Sequence, residues 1–211
     1  MSIKKKDAEP QAKMIVERVF KENKYLSGVL KGVCSKMDSE RYPNAIALEN
    51  LSKDHPEIIY PEWNFFVNFL KSENAYHKSI AISTISNLIA LDKQNKFKEV
   101  FEVYFNLLDD KSVIVSRKLA MVAGKIAKTK PKYKSKITKL LLKIDNTQHN
   151  QSRKDLIKGD IIEAFNDYFT IIEKKDQIID FVKDQLSSSS PSTVKKARNF
   201  LSKWEKLEEY S

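Results

Sequence analysis

Cysteine is nearly absent from this chain of 211 residues, because Cys34 is the only one and no internal disulfide can form. That usage fits a reducing compartment. No apolar run approaches the roughly 20 residues of a bilayer-spanning helix, and the charged stretch Met1 to Pro10 has no apolar segment behind it to make a secretory signal. The expected location is therefore the cytoplasm, where the Asn150-Gln151-Ser152 sequon would stay unmodified. Histidine occurs three times, at His55, His77 and His149, with no ligand-like spacing to one another, to Cys34 or to a carboxylate. No metal site and no cofactor is expected. A glycine-rich phosphate loop is also missing: Gly28-x-x-x-Gly32 lies in an apolar, helix-like stretch and reads as a close-packing site.

Glycine and proline number only four and six. Apolar residues recur at three- and four-residue steps rather than alternating, which predicts helices almost throughout. One set is Ile80, Ile82, Ile85, Leu88, Ile89 and Leu91, and the next is Phe97, Val100, Phe101, Tyr104, Phe105 and Leu108. A third is Ile137, Leu140, Leu141 and Ile144, and a fourth Ile178, Phe181, Val182 and Leu186. Polar and turn-forming stretches end each set, at Asp92 to Lys96, Asp109 to Ser112, Thr129 to Pro131, Asp145 to Ser152, and Ser187 to Ser192 with Thr193 as a candidate N-cap. Loops this short make consecutive helices antiparallel neighbours.

A longer period lies over this one. Ala45, Ala81, Ala120, Ile157 and Ala197 stand near the starts of alternate helices at spacings of 36, 39, 37 and 40. A helix pair with two turns takes that many residues, and such a period is the signature of an α-solenoid. Small residues at Ala120, Ala123 and Gly124 let a neighbouring helix approach closely, offsetting the roughly 1 kcal/mol that a mid-helix glycine costs.

The pattern Val115-x-Arg117-x-x-Ala120-x-x-x-Gly124-x-Ile126, opened by Asp110, resembles a HEAT repeat of the HEAT and armadillo-like class; Lys78 and Ala81 match its arginine and alanine one unit earlier. The resemblance implies an all-α fold: a right-handed α-α superhelix of about four or five helix pairs, spanning residues 1–211 as a single domain. It also implies that the second helix of each pair lines a concave surface that holds another macromolecule, and it brings no catalytic motif with it. Residues 1–10, with Lys4, Lys5 and Lys6, are expected to form a flexible basic tail.

Formal net charge is +10, and residues 111–158 carry more than all of it, with fourteen Lys or Arg against two carboxylates. Lys132, Lys136, Lys139 and Lys143 step by 4, 3 and 4, which places them along one helix face opposite Ile137, Leu140, Leu141 and Ile144. That stripe would cover on the order of 16 Å of the concave side. A solvated helix face is the plain alternative to a binding face.

The functional expectation is a non-catalytic scaffold, not an enzyme, that holds an acidic protein segment on these four lysines, with Lys125, Lys128, Lys130 and Lys134 adding to the field. Lys98, Glu99 and Glu102 precede the stripe and Asp176, Asp180 and Asp184 follow it, so these acidic flanks would repel a phosphate backbone running along the array. Nucleic-acid binding is the alternative, although Tyr133 is the only aromatic near the lysines. A glycosylase acting on alkylated bases comes third. It would need aromatics and a carboxylate converging near basic residues, whereas Trp63 and Trp204 lie far apart in sequence and read as core or cap residues. Arg117 and Arg198 stand near helix starts, where pairing with a preceding acid is as plausible a role as binding.

Overall fold

Helix is the only regular structure in the computed structural model of the protein, which describes residues 5–208. The contacts divide the chain into two compact units, Met1–Asn95 and Lys96–Ser211, where the sequence reads as one continuous array. Asn95, the last residue of the first unit, has φ 59°, a left-handed conformation that asparagine tolerates.

In the first unit the helices are α1 (Lys5–Lys21), α2 (Leu26–Gly32), α3 (Asp38–Asp54), α4 (Pro56–Ile59), α5 (Trp63–Leu70) and α6 (Ala75–Leu88). α3 packs between α1 and α6, and α5 lies on α6. Lys5 to Pro10, expected as tail, belongs to α1: Ala8 and Ala12 are fully buried, and that burial fixes the helix. Met1 to Lys4 lie outside the described residues. Gly28 and Gly32 do not form one packing site. A Cβ on Gly32 would meet the Asn44 side chain at 2.3 Å, whereas one on Gly28 would meet nothing within 4 Å.

The second unit repeats one design. Long helices α8 (Val113–Thr129), α10 (Gln151–Tyr168) and α12 (Pro191–Glu208) alternate with α7 (Phe97–Phe105), α9 (Lys134–Leu141) and α11 (Lys175–Asp184). Each of the short helices is followed by a 3-10 turn, at Asn106–Asp109, Ile144–Asn146 and Gln185–Ser187. α8, α10 and α12 pack side by side, with α9 against α8 and α11 against α12. Ala120, Ile157 and Ala197 are fully buried on the long helices, as Ala81 is on α6 of the first unit, and Ala45 is half-buried on α3. The period in the sequence is thus a period of packing positions.

Gly124 is where α8 and α10 come closest. A Cβ there would stand 2.2 Å from the Ala164 carbonyl oxygen and 2.7 Å from an Asp167 carboxylate oxygen. Gly159 plays the same part between α10 and α12, where a Cβ would fall 2.6 Å from Thr193 Oγ1. That hydroxyl is engaged elsewhere: Thr193 lies inside α12 and donates to the Asp155 carbonyl at 2.6 Å, so it is not the N-cap. Ser190 takes the capping position, its hydroxyl accepting from Thr193 N at 3.3 Å.

Polar ties join successive hairpins of this unit at their loop ends. The Asp109 carboxylate accepts from Gln148 N at 2.7 Å, and buried His149 shares a hydrogen bond of 2.9 Å with Ser116. One repeat later, the buried Asp155 carboxylate accepts from Gln151 Nε2 at 2.7 Å, from Ser189 N at 3.2 Å and from the Ser189 hydroxyl. Burial by itself would raise the Asp155 pKa, but the Ser189 and Gln151 hydrogen bonds and the Lys158 charge hold it below its ordinary value of 3.8. Because the folded value is depressed, this stabilisation is present above the ordinary value and is lost as pH falls through the folded one. Asp155→Asn is therefore expected to cost about 1 kcal/mol near neutral pH. Urea unfolding of the two proteins should converge as pH drops below the carboxylate range; a gap that stays constant to low pH would contradict this.

Candidate functional site

Sequence periodicity puts Lys132, Lys136, Lys139 and Lys143 on one helix, but the backbone divides them. Pro131 opens a 3-10 turn, Pro131–Tyr133, that contains Lys132. Lys136 and Lys139 are on α9, and Lys143 lies beyond its end at φ −91° and ψ 16°. The apolar side of the prediction matches better: Ile137, Leu141 and Ile144 are fully buried, and Leu140 is half-buried.

Neighbouring repeats then engage several of the eight lysines. Lys136 forms an ion pair with Glu102 of α7 and lies 4.5 Å over the Phe101 ring. Lys134 pairs with Glu173 at 3.2 Å and donates to the Ile171 carbonyl at 2.7 Å. Lys128 draws down the pKa of Asp167, which burial nonetheless raises above its ordinary value. Lys132 lies 5.1 Å over the Tyr133 ring. Lys139 and Lys143 are exposed, and neither forms an ion pair among the described residues. Lys125 is exposed at the end of α8, and Lys130 is half-buried.

Tyr133 is less isolated than the sequence implies. It stacks on Phe101 at 5.0 Å and meets the edge of Phe97 at 5.7 Å, but both phenylalanines are buried, so they are core and not a base-stacking platform. The Tyr133 hydroxyl is buried without a hydrogen-bond partner.

A different set of charges organises the long helices. Asp160 of α10 is 1% exposed; Arg117 Nε reaches it from α8 at 2.7 Å, and Lys196 Nζ from α12 at 3.1 Å. The hydrogen bond that Arg117 donates to Asp160 raises the Arg117 pKa above its ordinary value. A parallel rung surrounds Asp167, where Lys128 and Lys203 pull against burial. Arg117 thus pairs with an acid of the following repeat rather than a preceding one. The positions 117, 160 and 196 differ by 43 and 36, close to the repeat period, and that coincidence was the available signal. Arg198 is exposed and lines a groove with Ser188, Val194 and Lys195.

The remaining residues with chemical potential are accounted for by packing. Trp63 and Trp204 are 2% and 9% exposed, and Trp204 Nε1 donates to Asn166 Oδ1 at 2.9 Å. His77 stacks on Phe69 at 4.3 Å, and His55 packs against Phe20. Burial, then the Arg41 charge, lowers the His77 pKa. The Cys34 thiol is pushed up by partial burial, away from nucleophilic character. No group of three or more His, Cys, Asp or Glu among the described residues is arranged to hold a metal ion. No described helix is long and apolar enough to cross a membrane.

No protein-family model and no curated protein matches the sequence. Among solved structures, an engineered protein determined by a structural genomics consortium is similar over 94% of this chain and 88% of its own, with TM-score 0.52 and 17% identity. That likeness is one of fold: the chain shares an all-helical architecture with a protein built by design.

Proposed function

We propose that the protein is a non-catalytic binding scaffold, a HEAT-like right-handed superhelix whose basic segment 111–158 holds an acidic protein segment. The observation that carries this reading is the concentration of charge, fourteen cations against two carboxylates in 48 residues of a chain whose other segments are nearly balanced. Arg117 and Lys128 are engaged within the long helices, and Lys134 and Lys136 have acidic neighbours. Lys139 of α9 and Lys143 just beyond its end remain exposed. Glu102 and Glu173 on either side of α9 disfavour a phosphate backbone running along the array, which is why a protein partner is preferred to nucleic acid.

The experiment is a salt series with purified protein, titrated against an acidic polypeptide and against short single- and double-stranded DNA and RNA. A variant with Lys132, Lys136, Lys139 and Lys143 changed to glutamate is run beside it. The acidic polypeptide should still bind near physiological salt and should weaken at least tenfold in the variant. Nucleic acid bound with a steep salt slope, and lost in the same variant, would move the reading to nucleic-acid recognition and warrant a test of base excision.

A further inference from the structure

Packing of the second unit gives several of its cations a carboxylate from another segment: Arg117, Lys134, Lys136, Lys158 and Lys196 each form such a pair. Lys195 and Arg198 form no ion pair among the described residues, although they stand on the same helix as Lys196. Lys196 turns inward to Asp160, whereas Lys195, about 100° round the helix, is exposed. Arg198 and Asn199 follow Lys195 by three and four residues, so the three share one exposed face.

With Ser188, Pro191 and Val194 these residues line a groove of about 520 Å³ at the start of α12. No carboxylate is among the lining residues. Two like charges at this spacing repel each other, and an anion in the groove would relieve that repulsion. The donors present suit one kind of anion. The Arg198 guanidinium offers a planar fork that matches phosphate oxygens, Lys195 adds a point charge, and the Asn199 amide a further donor. The Ser188 hydroxyl accepts from Ser190 N at 3.3 Å, which leaves its own proton to donate.

We infer that this groove binds a phosphate monoester, with the phosphate held by Lys195 and Arg198 and the organic group over Pro191 and Val194. The volume exceeds what a bare phosphate fills, and the two apolar residues give the rest of such a ligand a surface to cover. A nucleic-acid strand is a poorer fit, because no aromatic side chain lines the groove to stack a base. None of these residues lies within 111–158, so the site stands or falls independently of the scaffold reading.

The test is isothermal titration calorimetry of the full chain with phosphoserine, a phosphoserine-containing peptide, a sugar phosphate and, as control, serine. At least one phosphate ester should bind tenfold or more tighter than serine. The double variant Lys195→Gln/Arg198→Gln changes two exposed side chains, so its circular dichroism should match the parent, and it should lose at least tenfold in affinity for that ester. Lys139→Gln/Lys143→Gln removes the same charge elsewhere and should bind as the parent does. Tighter binding of the peptide than of free phosphoserine would identify a phosphorylated protein as the source, and tighter binding of the sugar phosphate a small metabolite. Equal loss in the two double variants would show attraction to net charge alone and overturn the site. Failure of every ester to bind better than serine would overturn it as well.

Discussion

Gly124→Ala is expected to destabilise the second unit by about 2–3 kcal/mol, although alanine favours a helix over glycine by about 1 kcal/mol. The new Cβ would stand 2.2 Å from the Ala164 carbonyl oxygen and 2.8 Å from its Cα, so backbone rather than a movable side chain is in the way. α8 and α10 would have to separate along a contact that Arg117 also spans, loosening the Asp160 pairing as well. Gly28→Ala is the control, because nothing lies within 4 Å of its Cβ and the helix term should prevail, giving a gain of about 0.5–1 kcal/mol. Urea unfolding followed by circular dichroism measures both. Opposite signs at the two glycines are the expected result; a neutral or stabilising Gly124→Ala would show that the helices yield without cost.

Asp160→Ala should cost about 2 kcal/mol, and Arg117→Ala at least as much. The two changes leave different remnants. Without Asp160, the Arg117 and Lys196 side chains, 37% and 27% exposed, can turn toward water. Without Arg117, a carboxylate that is 1% exposed stays in place with Lys196 as its remaining ion-pair partner. Unfolding of the two single variants and the double variant forms a cycle, and the pair should show a coupling of about 1 kcal/mol or more. Simple additivity would mean that the pair forms without stabilising the α8–α10 contact.

Much of the fold is legible in the sequence because the signals are local. Scarce glycine and proline, with apolar residues at three- and four-residue steps, specify helices, since each residue's side follows from the 3.6-residue turn. The recurrence of Ala81, Ala120, Ile157 and Ala197 also marks buried positions, on α6, α8, α10 and α12. Local signals fail where backbone geometry changes inside an apolar pattern. Lys132, Lys136, Lys139 and Lys143 keep helical spacing, yet Pro131 starts a 3-10 turn and α9 ends at Leu141. The mistake over Lys5 to Pro10 has another cause: lysines suggested a tail, whereas the burial of Ala8 and Ala12 anchors the segment in α1.

The sequence by itself determined that this chain is helical, which side of most helices is apolar, and that its positive charge gathers between residues 111 and 158. Tertiary structure decided what that charge does. Lys136 meets Glu102, Lys134 meets Glu173, and Arg117 and Lys196 close on Asp160, each across 34 to 43 residues of chain. Periodicity fixes the direction of a side chain on its own helix, whereas its partner on the next helix depends on axial register. That register is set by close contacts such as Gly124 on Ala164, so which cations stay exposed emerges only once the helices are packed.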